Sequence, residues 1–117
     1  MALLAFTESG AKLASRLQED IASYSGLSIP VLRVFWSLGE RENWRAPSGE
    51  ALWKVVEPAG WRAEVGGWHD TPQRRILETT KVVGGIRVFL EPEAQAAAGT
   101  LEVSAVQEKL VVSHAGI

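Results

Sequence analysis

The spacing of apolar residues changes once along this chain, and that change limits what it can fold into. Over residues 8–25, Leu13, Ala14, Leu17, Ile21 and Tyr24 recur at helical spacing, with Glu8, Lys12, Ser15, Arg16, Glu19 and Ser23 opposite. Such a stripe, roughly 100° wide, is the signature of an amphipathic helix with one face on a core. Thr7 stands where an N-cap belongs and Gly26 where a C-terminal cap belongs. Beyond Gly26 the period falls to two. "IPVLRVFW" and "ALWKVVEP" are β-branched and aromatic runs, and "RRILETTKVV" and "KLVVSHAGI" continue the strand pattern.

Between the strands lie segments that read as irregular. "SLGERENWRAPSGE" is polar and carries glycine and proline, so it is expected to be a loop. "AGWRAEVGGWHDTP" is expected to be a turn-rich hairpin or excursion. In "GGIRVFLEPEAQAAAGTLEV" a strand places Ile86, Val88 and Leu90 on one face. Glu91-Pro92 then opens a very short helix near 91–98, Gly99 closes it as a left-handed cap, and a second strand follows. One amphipathic helix covering runs of antiparallel strands is an α+β domain. At 117 residues the expectation is a single domain spanning 1–117. The expected core is Leu13, Leu17, Ile21, Val34, Val88, Leu90, Leu101 and Val103, with Trp36 and Trp53 beside it.

Composition excludes more than it assigns. There is no cysteine, so there are neither disulfides nor thiolate ligands. A net charge of −2 offers no broad basic surface, which argues against a nucleic-acid partner. No stretch approaches the ~20 apolar residues of a membrane span, and the opening "MALLAFTESG" has no basic leader, so a cytoplasmic location is expected.

The segments "FTESGAKLASRLQED", "LRVFWS", "ALWKVVEP", "GGIRVFLEPEAQAAAGTLEVS" and "KLVVSH", in that order, resemble the A-type iron–sulfur carrier domain, the HesB-like family. The resemblance implies a mostly antiparallel β-sandwich with one N-terminal amphipathic helix and one short helix near 91–98. It also implies a cluster held by three cysteines, one after the Leu-Arg-Val strand and two in a C-terminal Cys-Gly-Cys tail. Here Val34-Phe35-Trp36-Ser37-Leu38-Gly39 occupies the first place, and Ala115-Gly116-Ile117 stands where the tail would begin. No ligand carries over, because clusters are held by thiolates with histidine only an occasional partner. Relative to the family, extra residues fall around 38–50 and 59–75.

The expected function is therefore a non-catalytic protein-interaction or regulatory module, related to iron–sulfur cluster biogenesis but with no catalytic residue, cofactor or metal. Aromatic and arginine side chains dominate interface hot spots, so Trp44, Trp61, Arg62 and Trp68, within the extra segments, are the candidate partner-binding residues. The competing account is that these indoles staple long loops to their own domain. A second function class is a small-molecule or metal-binding protein that reuses the family's pocket with His69, Asp70, His114 or Glu side chains. An α+β fold unrelated to the carriers would leave the function open. His69-Asp70 is itself read as a capped turn, with Asp70 bonding backbone near Thr71-Pro72. Ser37 and Ser113-His114 lack the surroundings of a nucleophile. Gly66-Gly67 and Gly84-Gly85 lack phosphate-loop spacing and are expected to be turns. A basic-aromatic patch of Arg62, Arg74 and Arg75 with Trp61 and Trp68 is the weakest reading.

Overall fold

The computed structural model describes residues 3–24, 28–72 and 75–115. Thr7 caps the first helix, its Oγ1 accepting the Gly10 N–H at 3.1 Å, and α1 runs Glu8–Tyr24. Leu13 and Ala14 are buried and Leu17 and Ile21 half-buried, so the stripe faces the core. Tyr24 departs from it and is 94% exposed. Ala22 and Ser23 are exposed beside it. The expected Gly26 cap lies outside the described residues.

Among the described residues nine strands and three helices are formed, so the fold is mixed and dominated by strands. A four-stranded sheet has the order β5 (Gly60–Trp68), β2 (Ile29–Ser37), β7 (Ile86–Leu90), β6 (Lys81–Val83). A three-stranded sheet has the order β1 (Leu3–Phe6), β8 (Thr100–Val106), β9 (Lys109–Ala115). Pairing is antiparallel except for β2 with β7 and β1 with β8. The two sheets share one core. Leu32, Val34, Ile86 and Val88 come from the first, Leu101 from the second, Ala14 from α1 and Ala94 from the short helix α3 (Pro92–Ala96). Val103 is also buried, and Leu90 half-buried. The β1 strand was hidden in the apolar run ahead of Thr7, since four residues are too few to show a period.

Helix α1 comes so close to β8 that only glycine fits between them. Gly10 is buried, and a Cβ there would overlap the Val103 carbonyl and crowd the Ser104 Cα. In α3, Pro92 takes the first turn as expected, but the helix stops at Ala96. Gly99, in the left-handed region at φ 79°, turns the chain into β8 three residues later and is not the helix cap.

The largest correction concerns 38–68. Much of each extra segment is strand: Glu40–Arg45, expected as loop, forms β3 and pairs with β4 (Ala51–Glu57), while Gly60–Trp68, within the expected hairpin or excursion, forms β5 along β2. Gly66 and Gly67 lie inside that strand opposite Val31 and Pro30, not at a turn. The register is continuous, since Ser37 opposes Gly60 and Glu40 opposes Glu57. Residues 29–68 thus form one long hairpin with a joint at Leu38-Gly39 and Pro58-Ala59 and a register shift just beyond it. Gly39 makes the joint possible. Its φ is 83°, and a Cβ would lie 2.5 Å from the Glu57 carbonyl oxygen. The even-numbered residues of β2 face the core below the joint. Above it no third layer exists, and the β3–β4 arm is open to solvent on both sides.

The stretch expected as a strand at 74–83 instead begins with a one-turn helix, α2 (Ile76–Thr79), before β6. Its β-branched residues favour a strand by propensity, but a distant acceptor wins. The Asp70 carboxylate accepts the Ile76 N–H at 2.8 Å, the Thr79 hydroxyl donates to the Arg75 carbonyl at 2.9 Å, and Ile76 is fully buried. Asp70 does bond backbone, at the Ile76 N–H.

Candidate functional site

The arm is built from two strands that alternate sides. Register puts Arg41 with Val55, Asn43 with Trp53 and Arg45 with Ala51 on one face. Glu42 with Lys54, and Trp44 with Leu52, lie on the other. The first face is aromatic and basic without a carboxylate: Arg41 Cζ stacks 4.5 Å from the Trp53 ring centroid. The second pairs Lys54 with Glu42 at 3.4 Å beside the exposed Trp44. Trp44 is 51% exposed, Trp53 57%, Val55 52% and Val56 56%. Expected as core, Trp53 is out in solvent because β4 has no sheet or helix over it. Trp36 is likewise 41% exposed, at the end of β2 next to the joint.

Of the four expected contact residues, only Trp44 belongs to this arm. Arg62 locks its base: Nε donates to Glu57 Oε1 at 2.5 Å and Nη2 to the Pro58 carbonyl at 2.7 Å. Trp61 opposes Trp36, edge-to-face at 5.2 Å, packs on the core cluster, and lies 5.7 Å from the His114 ring. Trp68 meets Phe89 edge-to-face at 5.2 Å. Trp61 and Trp68 are half-buried at opposite ends of β5, about 23 Å apart at ~3.3 Å per residue, so the four residues do not form one patch. Arg74 lies outside the described residues, and Arg75 pairs with Glu78 at 3.0 Å, which leaves the basic-aromatic patch unassembled.

The groups offered as metal ligands are scattered in the same way. His69 follows Trp68 at one end of β5, and His114, its Nε2 2.6 Å from the Ala98 carbonyl oxygen, lies at the other. Among the described residues no group of three or more His, Cys, Asp or Glu is gathered that could hold a metal ion.

A second feature escaped the sequence. Between the β1 edge of one sheet and the β6–β7 edge of the other is a cleft of about 320 Å³, walled by Leu3, Leu4, Val83, Val88 and Leu90. Among the described residues Thr79, Lys81 and Gln95 supply its polar side chains. Register could have revealed the lysine. The two-residue turn Gly84-Gly85 sets Val83 opposite Ile86 and Lys81 opposite Val88, which places Lys81 on the core side of an edge strand.

No described helix is long and apolar enough to cross a membrane. Comparison of the chain with protein-family models, curated proteins and solved structures finds no match.

Proposed function

We propose that this protein is a non-catalytic interaction module that engages a protein partner through the β3–β4 arm, on a scaffold resembling the A-type iron–sulfur carriers. The observation that carries the reading is the arm's exposure: four large apolar side chains, each more than half open, on a ribbon that nothing in its own domain covers. Exposed apolar surface of this kind marks an interaction site. Its basic-aromatic face fits a partner that offers carboxylates to Arg41 and Arg45 beside an apolar patch for Trp53 and Val55. The arm as a whole holds Glu40, Glu42, Glu50 and Glu57 against Arg41, Arg45 and Lys54, a balance that favours protein over nucleic acid.

The test is excision of the arm at its joint. Because Ser37 opposes Gly60, residues 38–59 can be replaced by Asn-Gly, the preferred two-residue hairpin turn. The shortened protein is expected to melt within a few degrees of the parent and to lose whatever the intact protein retains from its native extract. Within the intact arm, Trp53→Ala should weaken that retention by roughly thirtyfold, the ~2 kcal/mol typical of a hot spot. Retention by the armless protein would overturn the reading.

The carrier resemblance carries its own expectation. Anaerobic incubation with iron and sulfide should leave no visible absorbance after desalting, since a chain without cysteine supplies no thiolate. A coloured species that survives the column would refute this.

A further inference from the structure

We infer that the cleft between β1 and the β6–β7 hairpin binds a single-chain aliphatic carboxylate, with Lys81 holding the carboxylate. The inference starts from an inversion of polarity on β6. Lys81 shares the core-facing side of the sheet with Val83 and Val88, while Val82, between them, points away and is 57% exposed. Lys81 is itself exposed, so its stem runs along the apolar wall while its ammonium stays in water at the mouth of the cleft. Among the described residues no carboxylate lines the cleft and no ion pair involves Lys81.

The other polar groups are already engaged. The Thr79 hydroxyl donates to the Arg75 carbonyl, and the Gln95 amide donates to the Leu90 carbonyl at 2.8 Å. Among the described residues Lys81 is thus the cation available to a ligand here, and it sits at the end of the hairpin away from the Gly84-Gly85 turn. Beyond it the walls are leucine and valine. A cavity of about 320 Å³ is at the bottom of the ~300–1,000 Å³ range of ligand sites, which suits one alkyl chain and not a two-chain lipid. The site is separate from the arm and independent of it.

The competing use of Lys81 is as an edge guard. Inward-pointing lysines on edge strands prevent sheet-to-sheet pairing between molecules. The two roles separate in one experiment. Decanoate, kept below its micelle concentration, and 1-decanol are titrated calorimetrically into the full chain and into Lys81→Met, which keeps the apolar stem. The expected result is saturable 1:1 binding of decanoate that weakens at least tenfold in Lys81→Met, with 1-decanol binding alike to both proteins. Methyl shifts in NMR spectra should be confined to Leu3, Leu4, Val83, Val88 and Leu90. Absence of saturable decanoate binding, equal affinity in the two proteins, or shifts centred on the arm would overturn the inference. So would a Lys81→Met protein that dimerises in gel filtration while its decanoate affinity stays intact, which is the outcome an edge guard requires.

Discussion

Replacing Gly10 by alanine is expected to lower the melting temperature by roughly 12 °C, though the substitution improves helix propensity. Inside a helix alanine is favoured over glycine by ~0.5–1 kcal/mol, so a helix in solvent would gain. Here the added methyl meets the Val103 carbonyl and the Ser104 Cα, backbone atoms that no rotamer change can move aside. Overpacking costs ~1–3 kcal/mol and occasionally more. A net loss of about 3 kcal/mol at ~4 °C per kcal/mol gives the expected shift. Ser15→Ala, on the exposed face of the same helix, is the control and should change little. Thermal denaturation followed by circular dichroism reads both, and an unchanged Gly10→Ala protein would mean that α1 is not seated on β8 as described.

Trp61→Ala is expected to cost about 3 kcal/mol, or roughly 12 °C, while Trp44→Ala changes the melting temperature by less than about 2 °C. Large-to-small substitution of a packed aromatic costs ~3–5 kcal/mol when buried, and Trp61 is half-buried, which places it at the lower end. Its loss also removes the edge-to-face partner of Trp36 and the ring beside His114. Trp44 has no such partner and projects from the arm, where surface substitutions stay within about 0.5 kcal/mol. The pair therefore distinguishes a staple from an anchor: Trp61→Ala melts early, and Trp44→Ala keeps its stability while binding suffers. Equal melting temperatures for both variants would contradict the arrangement of the hairpin.

What could be read from the sequence follows from which residues carry a one-sided pattern. The helix of 8–24, the strand of Ile86, Val88 and Leu90, and the short helix after Glu91 each bury one face, so period and capping residues agree. The arm defeats this logic. "ERENWR" has one apolar residue, because a ribbon wet on both sides needs no apolar face, and by pattern alone it reads as a loop. In β5 the alternation Trp61, Ala63, Val65 was present but was broken up by Gly60, Gly66 and Gly67, which resemble turns. Helix α2 depends on Asp70, six residues before Ile76, and no local propensity reports that bond. Composition alone singles out the five tryptophans in 117 residues. Their sorting into Trp44 and Trp53 in solvent and Trp61 and Trp68 against the body depends on the pairing of 29–68 as one jointed hairpin, which no single segment reveals.

The parallel pairing of β1 with β8 has a consequence for how the chain acquires its shape. Residues 29–68 can zip from one turn outward, each new pair being close to the last. The Thr7 N–H, by contrast, bonds the Val103 carbonyl at 2.9 Å across most of the chain, and closing so long a loop carries an entropic cost that grows with its length. Non-local contacts of this kind slow folding. During synthesis, at ~5–20 residues per second, α1 leaves the ribosome well before β8 and lacks part of its seat until residue 100 and the strand that follows have been made. For a time on the order of seconds its apolar stripe is uncovered, a natural point for a chaperone to act. Of the three described helices, α1 is translated before the others and is among the last elements to dock.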